Sequence, residues 1–350
     1  MKNKIQKLIA KYGTENFLFA NKVETFYLTG ASFDGFWILI LNGGIYIICS
    51  KMIENQVKEF FKDKYKIITG ASFSKAAVEA RALSGDVKKI IADPKYMTAA
   101  DFLLFENRLK AEGIELSAKM GVLDDLRIVK SVFEIENLRQ SCRIASEVCN
   151  EIKLELKAGL TELDVHYRIL ELFAKRKVKE SFTPIVAAGI NAANPHHASS
   201  NYKIAENDAV MLDIGCFYNG YASDLTRTFY LGRINVEFKR IWDIVKEAQN
   251  AAIKQIKAGT AISCADKAAR DIINSYGYKD NFIHTTGHGV GIEIHEMPSL
   301  AINAEGVFLA GMTVTAEPGV YIEGKFGVRI EDTVLINENA CEILTSAAYQ

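Results

Sequence analysis

A short string occurs twice in this chain, 100 residues apart: Leu156-Lys157-Ala158-Gly159 and Ile256-Lys257-Ala258-Gly259. Each copy closes a long stretch of helical periodicity and has a threonine beside it, Thr161 or Thr260. Each leads into a second helical stretch, 165–175 in the first case and 265–276 in the second. A β-rich segment with histidines follows both, carrying His196 and His197 after the first and His284, His288 and His295 after the second. An echo in matching context reads as a duplicated α/β unit. A duplicated unit must bury its two halves against each other, so its natural site lies between them, where both deliver polar residues.

Ahead of the repeat the pattern differs. Helical spacing at 2–11, 55–62, 75–83 and 99–109 alternates with β-rich runs at 36–41, 44–49, 65–69 and 89–92. That is an α/β arrangement with a mixed sheet, and Asn42-Gly43 supplies a hairpin turn inside it. Neither a G-x-G-x-x-G nor a Walker A string occurs, so no nucleotide site is indicated. The character changes at 121–125, which sets the expected domains at 1–122 and 123–350, in keeping with a length of 350 residues. The second is expected to open on one amphipathic helix over 128–156, ended by Gly159. Lys plus Arg number 42 and Asp plus Glu 43, so there is no global attraction to nucleic acid or to an anionic membrane. No apolar run reaches the ~18 residues of a transmembrane helix, and the first residues build no secretory apolar segment. Six scattered cysteines without a C-x-x-C read as reduced thiols, and the expected location is cytoplasmic.

The chemistry concentrates in two acidic pairs. Asp213 interrupts the apolar run from Ala209 to Ile214, and Asn219-Gly220 then marks a two-residue hairpin. With that turn, residues whose numbers add to 439 face each other, so Asp213 faces Thr226 and lies diagonal to Asp224 on one face. A salt bridge from Arg227 or Arg233 would be the plainer use of these acids. A reversal about Gly324 likewise sets Glu317 opposite Glu331, with Arg329 on the same face to hold them. Between the pairs lies Gly287-His288-Gly289-Val290-Gly291, whose glycines let backbone approach a site closely. The string His295-Glu296-Met297-Pro298 is not H-E-x-x-H, so a zincin is excluded. Four carboxylates and one histidine suit a dinuclear Mn²⁺, Co²⁺ or Zn²⁺ site. Two such ions can share a water and make it nucleophilic at neutral pH, which points to metal-assisted hydrolysis.

The ordered strings Leu-Asp213-Ile-Gly, Ser-Asp224-Leu-Thr-Arg-Thr, Gly-His288-Gly-Val-Gly, Ala-Glu317-Pro-Gly-Val-Tyr and Val-Arg329-Ile-Glu331-Asp resemble the signature of the pita-bread metallopeptidases. The resemblance covers roughly 128–340. The size and pattern of the leading domain resemble those of Xaa-Pro aminopeptidases, prolidases and creatinases (peptidase family M24). It implies an α+β chain: an N-terminal α/β domain of the creatinase/prolidase type, then a pseudo-symmetric pita-bread domain. It further implies that Asp213 chelates one ion, that His288 and Glu317 chelate the other, and that Asp224 and Glu331 bridge both. Mn²⁺ is favoured over Co²⁺ or Zn²⁺ by the carboxylate-rich set. By the same resemblance Glu317 is the proton shuttle, and His295 and His196 bind the substrate carbonyl and its oxyanion. Arg329 and Tyr321 stand behind the ligands. His284 carries less weight, and His197 is expected at the surface. The implied activity is proline-specific: a hydroxide bridging two ions releases the N-terminal residue of Xaa-Pro peptides. The implied partners are those peptides and a second copy of the chain in a homodimer, with no nucleic acid and no membrane. Several prolidases read H-E-x-P-R, where the arginine clamps a dipeptide's carboxylate; this chain has Ser299 there. That departure favours an aminopeptidase over a dipeptidase. A non-catalytic module on the same fold and a methionine aminopeptidase are the remaining alternatives.

Overall fold

The structure is a computed structural model and describes residues 1–14, 16–62, 64–70, 73–85 and 87–349. Gln350, the end of the second expected domain, lies outside the described residues. The chain divides into two compact units, Met1–Leu126 and Arg127–Gln350.

In the first unit the order is α1 (Lys2–Tyr12), β1 (Phe17–Phe19), α2 (Lys22–Thr29), β2 (Phe36–Leu41), β3 (Gly44–Cys49), α3 (Glu54–Phe61), β4 (Lys66–Thr69), α4 (Phe73–Ser84), β5 (Lys89–Ala92), α5 (Ala99–Ala111) and β6 (Glu115–Ala118). The strands form one mixed sheet in the order β4-β3-β2-β1-β5-β6. Asn42 and Gly43 both take positive φ, 46° and 77°, the conformation a two-residue hairpin demands. Leu41 therefore pairs with Gly44, and the six-residue apolar strands β2 and β3 run in register. Leu18, Leu39, Ile48, Ile90 and Phe105 lie in the core over this sheet. Sequence reading missed β1, which has three residues, all buried, and is too short to display a period.

A short helix α6 (Asp124–Ile128) precedes the second unit's main elements: α7 (Val132–Glu155), α8 (Glu162–Lys175), β7 (Lys179–Glu180), β8 (Ile185–Ala188), β9 (Ala209–Ile214), β10 (Cys216–Tyr218), β11 (Tyr221–Ala222), β12 (Leu225–Tyr230), α9 (Val236–Gln255), α10 (Ser263–Ser275), β13 (Gly287–Gly289), β14 (Glu296–Leu300), β15 (Thr313–Ala316), β16 (Gly319–Ile322), β17 (Phe326–Arg329), β18 (Asp332–Ile336) and β19 (Cys341–Ile343). The helix expected over 128–156 is α7, which starts four residues later than expected because Ile128 belongs to the end of α6. Ser131 accepts from the Glu134 amide while the Glu134 carboxylate accepts from the Ser131 amide, a reciprocal cap that starts α7 afresh. Nor does Gly159 end that helix, which stops at Glu155 with Leu156 as its cap. Gly159 instead uses its φ of 95° to turn the chain toward Ile204, whose carbonyl accepts its amide.

The duplication is visible in backbone pairing. Gly159 donates to Ile204 and Gly259 donates to Phe308; Ile204 donates back to Leu160 and Phe308 back to Thr260. Isolated bridges Thr161–Lys203 and Ala261–Val307 complete the match. Each copy is a helix pair followed by an antiparallel three-strand run, β8-β9-β12 in one and β13-β15-β18 in the other. The first helix pair packs on its sheet through Ile144, Val148, Ile169, Val210 and Leu225. The second does so through Ile241, Val245, Ala269, Val314 and Val334.

A buried ion pair lies behind both runs. Arg227 on β12 and Asp332 on β18 are fully buried, and Arg227 Nη2 donates to Asp332 Oδ1 at 2.7 Å. The Asp332 carboxylate also accepts from Thr345 Oγ1 at 2.6 Å, Tyr349 Oη at 2.8 Å and Gln249 Nε2 at 2.9 Å. Arg227 donates as well to the Ala347 carbonyl, so the 345–349 segment completes the pair's hydrogen bonding. Breaking such a pair from one side strands a charge. Arg227→Ala is expected to cost about 3–5 kcal/mol in urea unfolding, against about 1 kcal/mol for loss of the cap in Ser131→Ala. Equal losses in the two variants would refute this ranking.

Candidate metal centre

The duplication also sets the positions of the acids. Asp213 is the fifth residue counted from the start of β9, and Glu317 stands at the same count from the start of β15, just past its end. Asp224 immediately precedes β12, and Glu331 immediately precedes β18. Each copy thus contributes one carboxylate at the end of its middle strand and one at the start of its last. Register delivers them together. Tyr218 pairs with Tyr221 and Thr226 with Asp213, the ladder expected from Asn219-Gly220. Gly319 pairs with Arg329 and Ile322 with Phe326, the reversal expected about Gly324.

His288 on β13 links the pairs. Its Nε2 is 3.5 Å from Asp224 Oδ2 and 3.3 Å from Glu317 Oε1. Asp224, His288 and Glu331 each present a donor atom within 4.8 Å of the others. Asp213 is tied in through Arg329, whose Nη2 donates to Asp213 Oδ2 at 2.6 Å. Arg329 Nε donates to Thr226 Oγ1 at 3.1 Å, and Thr226 Oγ1 donates to Glu331 Oε2 at 2.6 Å. The approach of backbone depends on Gly287, where a Cβ would stand 2.2 Å from the Thr315 carbonyl oxygen.

Four carboxylates in a dry site raise one another's cost of ionisation. Burial pushes Asp224 well above the usual carboxylate range, and the charges of Glu331, Asp213 and Glu317 add to it. Glu331 rises for the same reasons, burial first and then Glu317 and Asp213. Burial raises Asp213 too, against the opposing pull of Arg329. Glu317 behaves differently: burial works against its charge, but the hydrogen bond and charge of His288 outweigh it and hold the pKa at about 2. Ionisation of the whole cluster is therefore disfavoured without a compensating positive charge, and the four acids together call for a cation.

Divalent metal ions fit this site. Among the described residues, the buried atoms Asp213 Oδ1 and Glu331 Oε1 have no hydrogen-bond partner. His288 Nδ1 donates to the Gly289 carbonyl at 3.0 Å, so Nε2 faces Asp224 and Glu317, carrying a proton in the metal-free site and free to offer its lone pair to an ion. A donor set of four carboxylates and one imidazole, without thiolate, suits borderline and hard divalent ions.

The remaining expected residues surround the cluster. His295 is exposed and packs edge-on against His288, ring centroids 4.3 Å apart. Burial and the His288 charge lower its pKa, which disfavours the imidazolium. His196 is also exposed, near enough to His284 and His295 for its charge to disfavour theirs. Tyr321 Oη accepts from Arg329 Nη1 at 2.8 Å and lies 2.9 Å from His284 Nε2. His284 Nδ1 donates to the Thr285 carbonyl at 2.8 Å, so Tyr321 donates to Nε2. His284 is therefore part of the site, a role to which sequence reading gave little weight; the spacing His284-x-x-x-His288 was its only signal. His197 is not a surface residue. It is half-buried and its Nε2 donates to the buried Glu162 at 2.8 Å. Arg227 does not pair with Asp213 or Asp224, because Asp332 occupies it. Ser299 on β14 is exposed and pairs across the ladder with His288.

A duplicated helix-pair and sheet unit presenting a buried carboxylate–histidine cluster defines a divalent-metal protein. The model of metallopeptidase family M24 matches residues 136–338, and that of the creatinase/prolidase N-terminal domain matches 2–129. The chain belongs to metallopeptidase family M24, and its second unit has the pita-bread fold. A Xaa-Pro dipeptidase of Pyrococcus furiosus is 33% identical over 354 residues, covering 99% of this chain and 98% of that protein. The solved Xaa-Pro dipeptidase from Bacillus anthracis superposes with a TM-score of 0.93 at 31% identity, over 99% of this chain and 98% of that one. The X-Pro aminopeptidase from Thermotoga maritima gives a TM-score of 0.89 at 28% identity, over 98% and 99%.

Relief of repulsion gives a test with a definite sign. Glu331→Gln removes a carboxyl whose ionisation the buried cluster disfavours, so the metal-stripped variant is expected to melt a few degrees above stripped wild type, at about 2–4 °C per kcal/mol. The rise in Tm that Mn²⁺ produces in wild type should be lost in the same variant. A stripped variant that melts below wild type yet still gains from Mn²⁺ would contradict the site.

Proposed function

We propose that the chain is a dinuclear metallopeptidase that releases the N-terminal residue from peptides with proline at the second position, an Xaa-Pro aminopeptidase. The observation that carries this reading is the complete set of four carboxylates and one histidine, gathered in one buried cluster. Asp213, Asp224, His288, Glu317 and Glu331 would hold two divalent ions, with Mn²⁺ favoured by the oxygen-rich set. Such ions, when bound, polarise a peptide carbonyl and make water nucleophilic at neutral pH.

The chain's own residues perform the rest. Glu317 stands beside His288 with its Oε1 3.3 Å from His288 Nε2, where it would face a water held by the ions. It takes the proton of the attacking water and delivers it to the departing proline nitrogen. That nitrogen carries no hydrogen of its own in the intact peptide bond. His295 and His196 donate N–H groups to the substrate carbonyl and to the oxyanion it becomes. Arg329 holds the Asp213 carboxylate in position, and Tyr321 and His284 hold Arg329 from behind.

Ser299 supports the aminopeptidase, because it offers no cation for a dipeptide's free carboxylate. The dipeptidase is the second reading, favoured by the names of the relatives from Pyrococcus furiosus and Bacillus anthracis. In this reading residues 123–350 carry the chemistry and 1–122 form the leading domain. A homodimer follows from the family resemblance, and a cytoplasmic location is supported by six free cysteines.

Metal-stripped protein reloaded with Mn²⁺, Co²⁺ or Zn²⁺ is to be assayed on Xaa-Pro-Xaa, Xaa-Pro and Xaa-Ala-Xaa peptides. Cleavage of Xaa-Pro-Xaa but not Xaa-Ala-Xaa is expected, and turnover of Xaa-Pro alone would replace the aminopeptidase by the dipeptidase. Two bound ions without turnover of any peptide would leave only a binding module. Glu317→Gln is expected to reduce kcat by about 10²–10⁴-fold, and a variant at wild-type kcat would remove the shuttle from Glu317.

A further inference from the structure

Glu162 opens α8, and its carboxylate is fully buried. Its Oε1 accepts from the Ala188 amide at 2.8 Å and from Asn191 Nδ2 at 3.0 Å. Its Oε2 accepts from His197 Nε2 at 2.8 Å, the Ser200 amide at 2.9 Å and Ser200 Oγ at 2.7 Å. Ala188 and Asn191 precede His196 in the chain, whereas His197 and Ser200 follow it. One carboxylate therefore grips both arms of the loop that presents His196.

Two further contacts fix the middle of that loop against the metal site. Arg329 Nη1, from the side chain that holds Asp213, donates to the Pro195 carbonyl at 3.3 Å. Gly327 on β17 lies so close that a Cβ there would stand 2.1 Å from the Ala192 carbonyl oxygen. The His196 imidazole is itself exposed, and its backbone amide bonds only to Asn194 Oδ1, two residues away, at 3.2 Å. Its placement is thus set by the loop rather than by its own packing. A buried carboxylate is retained only where donors satisfy it, and here every donor belongs to the one loop. Burial opposes the charge on Glu162, but the bonds from His197, Ala188, Ser200 and Asn191 win and hold its pKa below 4.5, so the acceptor is ionised at neutral pH.

We propose that Glu162 is a positioning residue that fixes the 188–200 loop so that His196 faces the metal cluster. This deepens, and rests on, the reading of His196 as a group that binds the substrate carbonyl. An amide in place of the carboxylate would oppose an NH₂ group to the Ser200 amide and release one arm of the loop.

The test is a double-mutant cycle on the full chain loaded with Mn²⁺: wild type, Glu162→Gln, His196→Ala and the double variant, assayed on an Xaa-Pro-Xaa peptide. Glu162→Gln is expected to lower kcat by about 10- to 100-fold, with Mn²⁺ affinity of the stripped protein within about twofold of wild type. The double variant should fall within about twofold of His196→Ala alone, because both changes remove one interaction. Multiplying losses, or a parallel loss of Mn²⁺ affinity, would assign Glu162 to general stability and overturn the proposal. Amide hydrogen exchange gives a readout that does not depend on activity. In Glu162→Gln the Ala188 and Ser200 amides should exchange at least tenfold faster while the body of α8 stays protected, and unchanged exchange overturns the proposal. If Glu162→Gln does not fold, His197→Ala removes one of the donors and is expected to show smaller shifts in the same direction; wild-type kcat and exchange would count against the proposal. Should wild type cleave no Xaa-Pro peptide, the functional reading falls, and the exchange measurement still decides whether Glu162 holds the loop.

Discussion

Mutual repulsion of carboxylates in a dry site is the constraint around which the second unit is built. Asp213, Asp224, Glu317 and Glu331 lie together, and Arg329 and His288 are the cationic or ionisable groups that pair with them directly among the described residues. A cluster of this kind is unfavourable for the fold by itself. It is held by hydrogen bonds that spread outward from each acid: Thr226 to Glu331, Arg329 to Asp213, and Thr315 Oγ1 to Glu317 at 3.2 Å. Strand pairing behind the acids supplies the rigidity that keeps like charges from separating. The same repulsion that costs stability is what makes the site select divalent cations.

Duplication explains how such a site is assembled. One helix-pair and sheet unit provides a carboxylate at the end of one strand and another at the start of its neighbour, and two copies provide two pairs. The histidines break the symmetry. His288 comes from the central strand run of the second copy, whereas His196 comes from a loop of the first that is held by Glu162 and braced by Arg329 of the second. The copies are therefore alike in scaffold and different in chemistry.

Much of this was legible in the sequence because the signals were local. Asn219-Gly220 and Gly324 fixed two registers, and both ladders follow them. Polar residues breaking apolar runs marked the acids. What escaped was set by contacts far apart in the chain. The break before α7 depends on a capping box whose Ser131 and Glu134 also suit a continuous amphipathic helix. The bond from His197 to Glu162 joins residues 35 positions apart, so nothing near His197 distinguished it from a solvated side chain. Arg227 lies three residues from Asp224, yet its partner is Asp332, 105 positions away. Proximity in sequence suggested the wrong acid, because alternation along β12 turns Arg227 to the opposite face of the strand.

The buried pair of Arg227 and Asp332 bears on the order in which the molecule can mature. Its hydrogen bonds are completed by Thr345, Ala347 and Tyr349, which are synthesised after every residue of the acidic cluster. Until that segment packs, β12 and β18 meet with an unfinished charge behind them, so the strands that present Asp224 and Glu331 lack their final brace. The leading unit has its whole sheet long before this and can fold during synthesis. The carboxylates at the starts of β12 and β18 are thus secured from behind by residues that bond to Arg227 and Asp332 and not to the acids themselves, so the anchorage of the site is separate in the chain from its chemistry.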